Sequence, residues 1–333
     1  MALKGSPHHK PIETTTMQNI TAATVAAALN TTGSFTARVN PQAYHAIKPE
    51  LEALTGYPVI SKSNLHDFMA CPYRYNFNRT HGIRKESKEM SLGSLVDCLT
   101  LTPELFDSQY KCEPIRVQLK KDGTPYADGR QDPAQKEEWR QAAERGITII
   151  TEEQLAKAKA ISAAALEHME SIHLTKSRYT TQEACWLLLK EVNGCELATP
   201  VILCIMVDIV PNAGCTLKDL KTTSADLAND TKLFYQIEDY GYNTQGALYT
   251  FVYTACTGRD MCDFSLLFVS TMEPYMTRRV VLTEDTMKQY LHDSMRAISA
   301  YAVAWKLQDF GTPQLNTLYY TPTAKEFRRR NDF

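Results

Sequence analysis

Three apolar runs separated only by short turns constrain the fold of this chain more than any other feature. The runs cover Ala184–Val192, Ala198–Val210 and Cys215–Leu220, and the breaks between them contain Asn193-Gly194 and Pro211-Asn212-Ala213-Gly214. Such breaks between apolar runs are typical of tight turns that join antiparallel strands. The stretch therefore predicts a meander of neighbouring, paired strands.

Helical patterns precede and follow this meander. Before it we expect helices that start near Ser61, with Ser63 as the N-cap, and that cover Met90–Leu101 and residues 151–172. After it we expect helices near Ala225–Asp239 and Thr244–Thr257, strands near Phe264–Thr271 and Arg278–Leu282, and a helix from Glu284 to about Leu307. This order predicts an α/β fold with a central mixed β-sheet flanked by helices.

The length and composition allow one large domain or two small ones, since 44% of the 333 residues are hydrophobic. Residues 1–40 are rich in Thr, Ala, Ser and Asn, and we predict a weakly ordered N-terminal arm there. One folded domain is expected over residues 41–315, followed by a basic tail over residues 316–333 that contains Arg328-Arg329-Arg330.

The chain has no pattern typical of a membrane protein. No apolar run reaches the roughly 18 to 20 residues that a membrane-spanning helix needs. The first 20 residues also lack a charged-then-apolar signal pattern. We therefore expect no contact with a membrane and a cytoplasmic location.

Charge and cysteine content narrow the classes of partner and cofactor. The formal net charge of -2 excludes a wholly basic coat for nucleic acid but is compatible with a local basic channel. The chain has nine cysteines and no CxxC pair, and several of them stand in apolar runs. This usage predicts buried, reduced thiols, and the spacings do not support a zinc or iron–sulfur site.

Three charged residues in the meander point to chemistry. Asp208 interrupts an apolar run, where a carboxylate is costly unless it is paired or binds a metal. Asp219 and Lys221, two residues apart on the next run, share one face of a strand, and the turn brings Asp219 towards Asp208. Two close carboxylates favour Mg²⁺, and a neighbouring lysine can stabilise charge on a phosphate, which suits phosphodiester hydrolysis. A surface ion pair is the alternative for Asp219 and Lys221 taken alone.

These residues carry a resemblance to a known superfamily. The pattern of Asp208, a turn and Asp219-x-Lys221 resembles the PD-(D/E)XK nuclease motif, and Gln245-x-x-x-Tyr249 resembles the QxxxY signature of its RecB-like branch. Residues 61–75 and 92–97 resemble the opening of phage and prophage exonuclease VIII (RecE-type) proteins. The resemblance spans roughly residues 57–310 and implies a PD-(D/E)XK, restriction-endonuclease-like fold.

The resemblance implies a role for each residue of the motif. Asp208, Asp219 and the backbone carbonyl of Leu220 would bind the metal, and Lys221 would be the catalytic lysine. Gln245 would orient the lysine, the water or the substrate phosphate, and Tyr249 would support it.

Two further acidic residues occupy positions of interest by the same resemblance. Relatives often have a metal-binding histidine where this chain has Asp97, which could bind Mg²⁺ or could be a polar residue near a helix end. Glu183 could be an outer ligand or orient a water, or it could be a solvated glutamate at the end of a strand.

A second group of residues is expected to contact DNA. Basic and aromatic side chains alternate around Tyr73, Arg74 and Arg79 and continue to Arg84 and Lys85, which suits a partly unpaired strand. An amphipathic helix with a solvated basic side is the alternative. Lys62 and Ser63, near the start of a helix, could hold a terminal 5′ phosphate.

The implied activity is that of a Mg²⁺-dependent exodeoxyribonuclease, with Mn²⁺ as a substitute and no iron–sulfur cluster. It would digest linear double-stranded DNA from 5′ to 3′ and leave 3′ single-strand overhangs for phage-type recombination. The implied partners are double-stranded DNA ends, a single-strand annealing recombinase and further copies of the chain in a trimeric or tetrameric ring. The alternatives are an endonuclease or structure-specific nuclease on the same fold, and an inactive DNA-binding or interaction module.

Overall fold

The computed structural model describes residues 17–83, 88–126 and 129–313. Its strands are β1 (Ser34–Arg38), β2 (Val59–Ile60), β3 (Tyr110–Cys112), β4 (Thr148–Ile150), β5 (Tyr179–Val192), β6 (Cys195–Pro211), β7 (Thr216–Thr223), β8 (Asp263–Ser270) and β9 (Thr277–Leu282). Its α-helices are α1 (Ala22–Thr32), α2 (Pro41–Thr55), α3 (Lys62–Ala70), α4 (Pro72–Thr80), α5 (Lys88–Leu101), α6 (Phe106–Gln109), α7 (Pro133–Glu144), α8 (Glu152–Ser171), α9 (Asp230–Asp239), α10 (Tyr242–Thr257) and α11 (Glu284–Leu307).

Seven strands form one mixed sheet. Six of them lie in the order β1-β5-β6-β7-β8-β9, and the short β2 pairs in parallel with β6. Strands β7 and β8 are parallel, whereas β5 and β6, β6 and β7, and β8 and β9 are antiparallel. The predicted α/β class with a central mixed sheet and flanking helices is confirmed.

The β5–β6 hairpin follows directly from its turn residues. Asn193 and Gly194 both have positive φ angles, 53° and 79°, which is the backbone geometry that a two-residue hairpin turn requires. The pair Val192 and Cys195 closes the hairpin, and the ladder then continues along most of both strands. In contrast, β6 and β7 share a single pair, Ile209 with Lys218, so these two strands diverge beyond it.

Helices cover both faces of the sheet. On one face α3, α10 and α11 pack over buried side chains such as Leu203, Ile205 and Phe268. On the other face α1 and α2 cover Trp186 and neighbouring strand residues. The same face carries α5 and α8, which pack over the β7 and β8 end of the sheet. None of the helices in the described ranges is both long and apolar enough to cross a membrane.

The N-terminal segment differs from its prediction. Residues 17–40 are not a weakly ordered arm, because they form α1 and β1, and β1 pairs with β5 from Ser34–Leu187 to Arg38–Glu183. Within β1 the buried residue is Ala37, and the sheet supplies the hydrogen bonds of this strand. Val25 and Leu29 of α1 and the following Val39 are buried as well, so a segment rich in Thr, Ser and Asn still contributes to the core. Residues 1–16 and the predicted tail over residues 316–333 lie outside the described residues.

One pair of cysteines also differs from the expectation of reduced thiols. Cys215 and Cys262 are joined by a disulfide, with their Cα atoms 5.4 Å apart. Strands β7 and β8 start side by side, with Thr216 opposite Asp263, so the residues just before them meet. The pairing of parallel strands that are distant in sequence is what brings these two thiols together.

The start of α3 is shifted from its predicted position. Ser61 is the N-cap, not Ser63, and its backbone N–H and hydroxyl both donate to Asn64 Oδ1, at 3.1 and 2.7 Å. The first helical residue is therefore Lys62, whose side chain points towards the start of α10. This shift places Lys62 beside the candidate active site.

Candidate active site

The site lies where β6 and β7 diverge. Asp208 stands between Val207, which packs under α10 and α11, and Ile209, which packs under α5 and α8. Neighbours two apart on a regular strand share a face, so β6 is irregular at Asp208. Gln182, which lies across from Asp208 on β5, has a φ of 57°. Asp208 Oδ2 accepts a hydrogen bond of 3.1 Å from the backbone N–H of Leu220, which ties the two diverging strands together.

Both carboxylate oxygens of Asp219 have a side-chain partner. Asp219 is buried, with 2% of the residue exposed, and its Oδ1 accepts a hydrogen bond of 2.5 Å from Gln245 Nε2. Its other oxygen, Oδ2, forms an ion pair with the Lys221 ammonium. The predicted sharing of one strand face by Asp219 and Lys221 is thus what the structure has, and Gln245 joins them from α10.

A glycine lets α10 come close enough for this contact. A Cβ at Gly246 would lie 2.8 Å from Leu282 Cδ1 and 3.1 Å from Phe264 Cβ, distances that a side chain could not keep. One turn further along, the Tyr249 ring packs edge-on against Phe264, with ring centroids 5.9 Å apart. Burial, and then the charge of Asp219, raises the pKa of Tyr249. Gln245 and Tyr249 therefore lie on one helix face over β7 and β8.

Asp97 approaches Asp208 and Asp219 from α5, which packs on the face of the sheet opposite to α10. On α5, Gly93 lies against β7, where a Cβ would be 3.2 Å from Thr222 Oγ1. The next turn of α5 carries Asp97, whose pKa is raised to about 7 by burial, with Asp219 adding to the rise and Lys221 opposing it. The Gly-x-x-x-Asp pattern thus has a packing reason: the glycine brings α5 to the strand that holds Asp219.

Three neighbouring carboxyl groups, those of Asp97, Asp208 and Asp219, dominate the electrostatics of the site. Burial raises the pKa of Asp208 well above its ordinary value, and the carboxylates of Asp219 and Asp97 raise it further. Burial alone would lower the pKa of Lys221, but Asp219 and Asp208 outweigh it and raise that pKa. One lysine thus faces three carboxyl groups, and a cation would relieve the remaining repulsion.

The carboxyl groups fit a divalent cation. Mg²⁺ is commonly held by one or two carboxylates, with water and phosphate oxygens completing its shell. Asp208 and Asp219 offer such a pair. Three ligand atoms within 4.8 Å of one another occur, among the described residues, only at Cys215, Cys262 and Asp263, whose cysteines are already bonded. Asp97, Asp208 and Asp219 therefore do not form a group of that compactness, and the role of Asp97 as a ligand, like that of the Leu220 carbonyl, stays a prediction.

Glu183 does not join this cluster. Its carboxylate accepts a hydrogen bond of 2.9 Å from the Tyr253 hydroxyl and another from Thr180 Oγ1. It is buried, so it is not the solvated strand-end glutamate that was one of the alternatives. Its partners belong to β5 and α10, and we assign it a structural contact between them.

The predicted DNA contacts are dispersed. Ser63 and Arg74 are exposed, on α3 and α4, and Tyr73 is half-buried. Arg79 forms an ion pair of 2.8 Å with Glu52 and lies 4.4 Å from the centroid of the Trp305 ring, so it is engaged within the fold. Arg84 and Lys85 lie outside the described residues.

Tyr242 is a site residue that the sequence did not single out. Its ring centroid lies 5.1 Å from Lys221 Nζ and 5.5 Å from Lys62 Nζ, so one ring contacts both lysines. It is the first residue of α10, three positions before Gln245, and that spacing was the signal available in the sequence. The contact itself depends on how α3 and α10 meet.

Comparisons with known proteins agree with this geometry. A family model described as a PDDEXK-like domain of unknown function matches residues 61–312. No curated protein sequence matches the chain.

Two crystal structures resemble it. A candidate exonuclease from Eubacterium rectale aligns over 86% of this chain and 96% of its own, with a TM-score of 0.50 and 16% identity, which shows a shared fold. A phage-related exonuclease from Haemophilus somnus 129PT aligns over 64% and 92% at 11% identity, and its TM-score of 0.28 is too low to support an argument.

The family match and the site geometry together support a nuclease, and PD-(D/E)XK nucleases generally use divalent metal ions. The match covers most of the chain and includes Asp208, Asp219, Lys221 and Gln245. This chain therefore belongs to the family of PDDEXK-like domains of unknown function (DUF3799).

Proposed function

We propose that this protein is a metal-dependent deoxyribonuclease that hydrolyses phosphodiester bonds of linear double-stranded DNA. The observation that carries the proposal is the pair of contacts made by Asp219. It accepts a hydrogen bond from Gln245 and forms an ion pair with Lys221, next to the buried Asp208. A structural ion pair between Asp219 and Lys221 would not need a second buried carboxylate whose charge repels that of Asp219.

Each residue has a chemical role in this proposal. Asp208 and Asp219 would hold Mg²⁺, or Mn²⁺ in its place, with the Leu220 carbonyl and Asp97 as further candidates. A divalent ion bound there would neutralise phosphate charge and lower the pKa of a water. Lys221 stays protonated beside these carboxylates, so its ammonium can orient the attacking water and stabilise charge that builds on the phosphate.

Gln245 acts on Asp219 rather than on the substrate in this arrangement. Its amide takes up one carboxylate oxygen, so the carboxylate cannot rotate and its remaining lone pairs keep one direction. Such fixed orientation is what positions a ligand for a hard cation with strict geometry. Tyr249 supports the helix that carries Gln245 by packing on Phe264.

The finer description is also part of the proposal. We propose an exonuclease that works from 5′ to 3′ and leaves 3′ overhangs for a single-strand annealing recombinase. Support comes from the resemblance of residues 61–75 and 92–97 to exonuclease VIII (RecE-type) proteins of phages and prophages. A ring of three or four copies would suit continuous digestion.

One assay tests the main proposal. Linear duplex DNA labelled at the 5′ or the 3′ end is incubated with Mg²⁺ or with EDTA, and covalently closed circular DNA serves as the control. The expected result is early release of the 5′ label in Mg²⁺, no release in EDTA and an intact circle. A cut circle would indicate an endonuclease instead, and DNA retained without any cut would indicate a binding module.

A further inference from the structure

Two stacked tyrosine rings, one of them exposed to solvent, lie next to the catalytic lysine. The rings of Tyr240 and Tyr242 are stacked, with centroids 5.7 Å apart and planes 21° from parallel. Tyr240 is 57% exposed, whereas Tyr242 is half-buried. One face of the Tyr240 ring is therefore covered by Tyr242 and the other is open to solvent.

Two lysine ammonium groups contact the Tyr242 ring. The Tyr242 ring is 5.1 Å from Lys221 Nζ and 5.5 Å from Lys62 Nζ. Lys62 also donates a hydrogen bond to the backbone carbonyl of Tyr240. The two tyrosines and two lysines thus form one connected group that begins at the catalytic lysine and ends at the open ring of Tyr240.

The backbone between the tyrosines is built for this close approach. Gly241 has a φ of 60°, and a Cβ there would lie 2.7 Å from His66 Nδ1 and 3.5 Å from Lys62 Cε. A side chain at this position would push α3 away from the start of α10. The stacked arrangement of Tyr240 and Tyr242 is therefore held in place by packing and does not depend on a ligand to form.

The chemistry of the group matches a nucleotide. Every nucleobase has a π-face that can stack on an aromatic ring, and an ammonium group neutralises a phosphate. The Lys62 ammonium has three donors, and the hydrogen bond to the Tyr240 carbonyl uses one of them, so the same group can also donate to a phosphate oxygen. Bases inside a duplex are stacked on one another, so only an unpaired base has a free face to offer Tyr240.

We propose that Tyr240, Tyr242 and Lys62, here called the tyrosine step, bind an unpaired nucleotide of a DNA strand next to the active site. The base lies on the open face of Tyr240, and its phosphate is held by Lys62. This inference rests on the proposed nuclease function and deepens it, since it names a frayed or single-stranded end as the part of the substrate that the site receives.

The test uses binding to single-stranded DNA in EDTA, so that no cutting is needed. Two 5′-phosphorylated oligonucleotides carry the fluorescent base 2-aminopurine at the first or at the last position, and stacking quenches its fluorescence. The full-length protein is compared with Tyr240→Ala, Tyr240→Phe and Tyr235→Ala. Tyr235 is the matched control because it is 67% exposed on α9 and has no ring contact among the described residues.

The wild type, Y240F and Y235A should quench one of the two labels, because all three keep the open ring at position 240. Y240A should lose the quenching and bind the oligonucleotide about tenfold more weakly, the usual effect of removing one base–aromatic stack. A duplex closed by hairpins at both ends should bind equally well to all four proteins. Melting temperatures check that each variant is folded.

Three other results are possible, and each has a different meaning. If Y240A binds and quenches as Y235A does, the tyrosine step is not a nucleotide site, even if the protein cuts DNA. If Y240A changes only the oligomeric mass in light scattering, the exposed ring is a protein contact and the inference is wrong. If quenching depends on Tyr240 but no DNA is ever cut with Mg²⁺, the proposed function fails while the subsite stands.

Discussion

Gln245 on α10 donates a hydrogen bond of 2.5 Å to Asp219 on β7, a carboxylate 26 residues earlier in the chain. The two residues come from different elements, so the contact fixes the helix to the strand as well as orienting the carboxylate. In the proposed mechanism, a residue that need not touch the DNA therefore affects cleavage.

Replacing Gln245 should slow cleavage without preventing DNA binding. In Gln245→Ala the Asp219 carboxylate loses one fixed partner, and removing such outer contacts of a metal ligand typically costs about tenfold to a hundredfold in activity or metal affinity. Cleavage rates at saturating Mg²⁺ and at limiting Mg²⁺ would separate the two effects. Tyr249→Phe, which keeps the ring on Phe264, is the control and should retain most of the activity. Equal losses in both variants would contradict a specific role for the amide.

Two lysines on β7 provide a matched pair for the catalytic assignment. Lys221 pairs with Asp219, whereas Lys218 donates to the Thr216 carbonyl at 3.0 Å on the other side of the strand. Lys221→Met should reduce cleavage by at least about a hundredfold, the scale for loss of one charge-stabilising donor. Lys218→Met should cut DNA at a rate close to wild type. Near-normal cleavage by K221M, confirmed to be folded by circular dichroism, would show that the site is misassigned.

Without metal, the protein should become less stable as the pH rises from about 4 to 7. The pKa of Asp97 is raised to about 7 in the folded state, so the folded protein holds a proton that the unfolded chain releases at its ordinary pKa near 4. The contribution of Asp97 to the free energy of unfolding therefore falls across that window and is constant above it. Urea unfolding in EDTA at pH 5 and pH 8 measures this fall.

The same experiment has two internal controls. Asp97→Asn cannot lose a proton, so its stability should fall less between pH 5 and pH 8 than that of the wild type. Mg²⁺ at pH 8 should restore stability to the wild type, because a bound cation stabilises the ionised carboxylates. If D97N and wild type show the same pH dependence, Asp97 is not the residue that titrates.

Gly241 and Gly258, at the two ends of α10, test the packing behind the tyrosine step. Both have positive φ angles, 60° and 70°, but only Gly241 has a close neighbour, since nothing lies within 4 Å of a Cβ at Gly258. Gly258→Ala should cost about 1–2 kcal/mol for the left-handed backbone alone. Gly241→Ala should cost at least about 1 kcal/mol more, because it must also displace His66. Equal losses in denaturant unfolding would mean that the His66 contact adds no constraint.

Local patterns in the sequence were sufficient for much of the fold. The Asn193-Gly194 turn and the apolar runs around it predict the β5–β6 hairpin, because hairpins are determined by neighbouring residues. The Asp219-x-Lys221 spacing predicts a shared strand face for the same reason. The Gln245 and Tyr249 spacing predicts one helix face, although not which strand residue that face would meet.

Features that depend on distant pairing were not predictable from such patterns. The disulfide requires Cys215 and Cys262 to start two parallel strands, and nothing in the sequence near either cysteine indicates this. Tyr242 became a site residue only because α3 and α10 meet at Gly241. The hydrogen bond from Tyr253 on α10 to Glu183 likewise joins elements that are distant in sequence, so it could not be predicted from the residues around Glu183.

The pairing of β1 with β5 has a consequence for how the protein is made. Thr36 and its partner Cys185 are 149 residues apart, so β1 emerges from the ribosome long before the strand that will receive it. During that interval the backbone of β1 has no partner strand, and apolar side chains that the sheet later covers, such as Phe35, are not yet packed. Residues 34–38 can therefore join the sheet only after translation has delivered β5, so the order in which these strands are synthesised is not the order in which they can pair.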